Sequence, residues 1–178
     1  MKFYFKLMLI SVMLISTSTT RASAHGDRFF EYAPDAWQSQ RYLITYGATP
    51  YQLFDPPADF TMVGFDLWVD NTGSPGPVTF TLTNADGNTL AAKTVTIVTT
   101  PSYPGGTKRH IDWSAPVNLS ASQTYALEIY TNLPEMGLYY AQRISLVEHN
   151  RDYSSLYALG AARLGSAIQS FTFKFALY

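Results

Sequence analysis

The chain has 178 residues, of which 47% are hydrophobic, 15% aromatic and only 14% charged, with no cysteine and a formal charge of −1. This composition excludes an intrinsically disordered chain, which would be poor in aromatics and high in net charge. Without cysteine there is no disulfide-stapled miniprotein and no thiolate metal site, and the near-neutral balance disfavours nucleic acid, whose phosphates call for a basic surface.

Residues 1–24 read as a secretory signal peptide. Lys2 and Lys6 form the positive start, Leu7 to Ile15 an apolar run broken only by Ser11, and Ala22-Ser23-Ala24 a small-x-small cleavage pattern. The apolar run is far shorter than the ~20 residues that span a bilayer, which argues against a membrane anchor. Lys2, Lys6 and Arg21 leave with the segment, so the mature chain carries nine basic against thirteen acidic residues, a net charge of −4. The expected location is secreted: periplasmic, extracellular or cell-surface.

A lead-in segment, residues 25–40, precedes a single expected domain, residues 41–178. From there short β-branched and aromatic runs recur between turn signals, with almost no helical period. Arg41 to Tyr46 and Tyr51 to Phe54 come first, the latter stopped by Pro56-Pro57. Phe60 to Val69 changes phase: Phe60 and Met62 share one parity, Phe65, Leu67 and Val69 the other. A β-bulge at Val63-Gly64 would keep all five on the core face. Val78, Phe80 and Leu82 alternate with threonines up to a hairpin turn, Asn84 to Asn88, and Thr89 to Val98 returns. After a Pro/Gly loop, Thr99 to Thr107, come Lys108 to Ser114, Val117 to Leu119, Gln123 to Thr131 and Gly137 to Val147. Residues 148–166 read equally as a loop or, over Leu156 to Leu164, as a stretch of mild helical character, and Phe171 to Leu177 alternates strictly. The reading is all-β: one antiparallel β-sandwich of jelly-roll type with eight to ten strands.

The order of Phe60–Val69, Val78–Ala91, Ile111–Leu119 and Ser120–Glu128, closed by the alternating phenylalanines, resembles the jelly-roll modules of many bacterial exported and cell-surface proteins, including carbohydrate-binding-module-like domains. The resemblance covers roughly residues 50–178 and implies a fold without assigning chemistry.

If Phe65, Leu67 and Val69 face inward, then Asp66, Trp68 and Asp70 point outward. An exposed indole flanked by carboxylates suits sugar recognition, the ring stacking on a pyranose while the carboxylates accept hydroxyl hydrogen bonds. The outward sets of the neighbouring strands add Glu128 and Tyr130, and Tyr139 and Arg143. These seven residues are the candidate ligand site, with Trp113 expected in the core. His110 and Asp112 share one face but lack a nucleophile, and Asp86-Gly87-Asn88 reads as a turn rather than a calcium loop. Cleavage after Ala24 would expose His25 at the N-terminus, which resembles the start of copper-dependent histidine-brace proteins, with His110 or His149 as the second ligand.

The leading expectation is a secreted, non-enzymatic module with no cofactor or metal. Its partner is an extracellular glycan or cell-surface component, with no nucleic acid and no membrane insertion. A structural or surface-assembly protein is the alternative. An eight-stranded outer-membrane barrel comes third, since Lys174 on its lipid face would cost ~2–4 kcal/mol.

Overall fold

The computed structural model describes residues 29–32, 39–44, 49–121, 123–142 and 161–178. The expected signal peptide, His25, much of the lead-in, Arg143, His149 and residues 156–160 lie outside these residues. The described chain forms β1 (Phe30–Tyr32), β2 (Gln40–Leu43), β3 (Pro50–Phe54), β4 (Phe60–Asn71), β5 (Gly76–Asn84), β6 (Thr89–Ile97), β7 (Thr107–Leu119), β8 (Tyr125–Thr131), β9 (Met136–Gln142), β10 (Ala162–Leu164), β11 (Ala167–Ile168), β12 (Phe171–Phe173) and β13 (Phe175–Leu177).

The pairing is nested. β5 pairs with β6, β4 with β7, β3 with β8 and β2 with β9, all antiparallel. The added pairs β4·β9 and β5·β8 lay this folded ribbon into two sheets, ordered β2-β9-β4-β7 (sheet A) and β3-β8-β5-β6 (sheet B). That is a jelly-roll sandwich. The two sheets are not closed into a barrel, so the barrel reading is set aside as the fold. Five short strands complete them: β10 and β11 extend sheet B beyond β3, while β1, β12 and β13 join sheet A.

The phase change in β4 is a bulge. The N–H groups of Val63 and Gly64 both donate to the main-chain oxygen of Tyr178, at 2.6 and 3.3 Å, so two residues oppose one. The pairing with β7 shifts register at the same point, between Met62 and Gly64. Glycine is needed there because a Cβ would lie 2.7 Å from the Ile111 carbonyl oxygen. The bulge returns Phe65, Leu67 and Val69 to the core beside Met62, all at most 1% exposed.

The last strand departs from the expected single run. β4 and β9 pair only where Val69–Asn71 meets Leu138–Met136. Beyond that point the C-terminal segment fills the space between them. Phe171–Phe173 pairs with Gln142–Tyr140, and Phe175–Leu177 pairs with Leu67–Phe65. Because both pairings are antiparallel, the chain bends at Lys174. Its N–H donates to Tyr139 and its carbonyl accepts from Trp68. Other differences are small. The two expected pieces around Pro116 form one strand, β7, and Pro116 is tolerated because β7 pairs along one edge only. Ala162–Leu164, at the end of the stretch with helical character, is a strand held by β3.

The core lies between the sheets. Phe65 meets Phe80 edge-on at 5.2 Å and Trp113 at 5.0 Å, and Phe54 reaches Phe175 at 6.3 Å. Gln52, on the inner face of β3, is fully buried; its Oε1 accepts the Phe173 N–H at 2.9 Å and its Nε2 donates to the Leu53 carbonyl at 2.7 Å. One amide thereby ties the two sheets and satisfies a buried donor.

Candidate functional site

The bulge sends Asp66, Trp68 and Asp70 to the outer face of sheet A, as parity requires, but that face is covered. Asp66 and Asp70 are 1% and 0% exposed and Tyr139 is 4% exposed. Asp66 Oδ1 faces His110 Nδ1 at 2.7 Å, while Oδ2 accepts from the Tyr178 hydroxyl at 2.7 Å and lies 3.1 Å from Lys108 Nζ. Burial alone would raise the Asp66 carboxyl. The hydrogen bonds from Tyr178, His110 and Lys108, with the Lys108 charge, outweigh it and hold Asp66 below the usual carboxylate value. His110 Nε2 continues to Asp112 at 2.9 Å. With both ring nitrogens on carboxylates, His110 offers no free nitrogen for the copper brace considered above.

Asp70 is held by Arg41 Nε at 2.7 Å and by the Tyr139 hydroxyl at 2.8 Å. Burial, and then Asp70 itself, push the Tyr139 phenol up against the lowering effects of Ser102 and Arg41, so it stays a donor. The cover is the loop from β6 to β7. Ser102 Oγ lies 3.2 Å from the Tyr139 hydroxyl, and the Gly105 carbonyl accepts from Lys174 Nζ at 3.1 Å. Gly106, at φ 76°, rests directly on the Tyr139 ring where any side chain would overlap it. Trp68 between them is half-buried, and its ring carries the ammonium groups of Lys108 and Lys174 at 5.9 and 5.3 Å from its centroid. A sugar would have to displace lysines from the indole. This face is a buried charge network, and the expectation of open carboxylates beside an open indole is corrected.

Glu128 and Tyr130 lie elsewhere, on the outer face of sheet B, so the seven expected residues do not converge. Arg143 lies outside the described residues. The β3, β8 and β5 register aligns Tyr51, Glu128 and Thr81 in one row and Tyr130 with Thr79 in the next. Tyr130 is 54% exposed. The Tyr51 hydroxyl donates to Glu128 Oε1 at 3.3 Å, and the Arg163 guanidinium lies 4.1 Å over the Tyr51 ring. Burial foremost, with Glu128 next, raises the Tyr51 phenol. Beside this row an open groove of about 270 Å³ is lined by Leu53, Thr83, Asn84, Tyr125 and Arg163, among others, with no carboxylate among the described residues of its wall.

Sequence reasoning missed Tyr51 and Arg163. Tyr51 has the parity opposite to Gln52 and Phe54, which was a usable signal. Arg163 falls in the stretch with helical period, where nothing in the pattern announced a strand. This arrangement offers an aromatic platform, hydroxyls, one carboxylate and one guanidinium on a rigid sheet, which is binding chemistry. No protein-family model matches the chain, and no curated protein matches it. Fold and site together define a class, a jelly-roll sandwich with a buried carboxylate network on the outer face of sheet A and an exposed tyrosine on that of sheet B.

Proposed function

We propose that the protein is a secreted, non-catalytic module that binds a glycan of the extracellular space or cell surface on the outer face of sheet B. The carrying observation is Tyr130, 54% exposed on a strand face, with Glu128, Tyr51 and threonine hydroxyls aligned beside it and a groove adjoining. A tyrosine ring supplies an apolar surface for the C–H face of a pyranose at small conformational cost, and the carboxylate and hydroxyls match sugar hydroxyls. The leader pattern of residues 1–24 supports export.

The test is a glycan array on wild type, Tyr130→Ala and Glu128→Gln, followed by calorimetry on the best binder. Both substitutions weaken binding by about tenfold, ~1.4 kcal/mol each. An array without binders, or one on which both variants match wild type, overturns the reading in favour of a structural or surface-assembly role.

A further inference from the structure

We infer that the groove at the Arg163 end of sheet B receives the carboxylate of an acidic sugar, so that the ligand is a uronate-bearing glycan; this rests on the glycan reading and narrows it. Arg163 is the only charged residue lining the groove among the described residues. No carboxylate of a described residue stands within ion-pair distance of it, whereas Arg41 and Lys108 on sheet A each hold one. Its guanidinium lies 4.1 Å over the Tyr51 ring instead, a cation–π contact that leaves it without a counter-charge among the described residues. Tyr51 is tied on its far side to Glu128. The row therefore runs from cation through aromatic ring to carboxylate. An acidic sugar matches that polarity, with its carboxylate at Arg163, its ring along the Tyr51 edge and its hydroxyls toward Glu128. A planar guanidinium suits a carboxylate because two parallel N–H···O bonds can form at once. In a mature chain of net charge −4, such a patch is a local exception that selects for the anionic unit.

The experiment is calorimetry of the purified protein with trigalacturonate and with its fully methyl-esterified form, which has the same length and no charge. Wild type binds the acid at least tenfold more tightly, and the preference shrinks as salt is raised from 50 to about 500 mM. Arg163→Gln removes the preference, so that the acid and the ester bind with equal affinity. Thr83→Glu adds negative charge to the groove without touching Arg163 and weakens the acid more than the ester. Equal affinity of wild type for acid and ester, or an undiminished preference in both variants, overturns the uronate assignment. In that case binding of neutral glycans through Tyr130 leaves the broader reading standing. An array with no binder at all overturns both. Inorganic sulfate that competes as strongly as trigalacturonate marks a simple anion site and also overturns the assignment.

Discussion

The hydroxyl of Tyr178 donates a 2.7 Å hydrogen bond to the buried carboxylate of Asp66, 112 positions away in the chain. The main-chain oxygen of the same tyrosine takes both N–H groups of the β4 bulge. One residue thus fixes the bulge and neutralises part of its consequence, because the bulge is what turns Asp66 to the outer face.

Asp66→Asn destabilises the protein by about 2–4 kcal/mol at neutral pH, since Lys108 loses its buried counter-charge and the Tyr178 hydroxyl its charged acceptor. The folded-state carboxyl titrates below its ordinary value of 3.8. Its contribution is therefore complete above the unfolded value and is lost as pH falls through the lower folded value. Urea midpoints measured from pH 7 to pH 2 fall below about pH 4 in wild type, and the fall is shallower in Asp66→Asn.

Gly64→Ala drives a Cβ against the Ile111 carbonyl, 2.7 Å away. The bulge can relax only by shifting main chain, at a cost of about 1–3 kcal/mol. Val63→Ala, at the neighbouring half-buried position, costs less. Chemical denaturation of the two variants provides the comparison.

Gln52→Leu keeps the volume of the side chain but leaves the Phe173 N–H without its acceptor between the sheets. The expected loss is about 1–3 kcal/mol, accompanied by reduced hydrogen-exchange protection of the Phe173 amide relative to other β12 amides.

Trp113 packs on Phe65 in the core, at 6% exposure. Trp113→Ala costs about 3–5 kcal/mol. Trp68→Ala removes a half-buried ring and two ammonium contacts and costs about 1–2 kcal/mol. Glycan affinity of Trp68→Ala stays within twofold of wild type, because the proposed binding face is on the other sheet. A larger loss of affinity would return the site to sheet A.

The strand alternation made the fold legible. Period-two patterning assigned Phe65, Leu67, Val69, Leu127 and Ile129 to the core, and the phase slip between Met62 and Phe65 announced the bulge. The candidate site was legible only in part. Alternation says which way Asp66 and Asp70 point but not what lies above them, and their burial depends on Arg41, Tyr139, Tyr178 and the Gly105–Gly106 turn, all distant in sequence. Alternation also cannot tell one sheet's outer face from the other's. That knowledge requires the pairing, so Glu128 and Trp68 were grouped although the whole core separates them. Arg163 was hidden because a three-residue strand is too short to display a period.

The nested pairing also has a time course. Of the four nested pairs only β5 and β6 meet through a short turn, Asn84–Asn88, and each further pair encloses all those before it, until Gln40 meets Tyr140 across 100 positions. The entropy lost in closing a loop rises with its length, so non-local pairs must await nearer ones, and folds of this kind refold in milliseconds to seconds. In stopped-flow measurements, substitutions in the Asn84–Asn88 turn slow refolding, while those in β2 mainly speed unfolding. The expected order is closure outward from that turn, with the strands flanking Lys174 docking last, between β4 and β9.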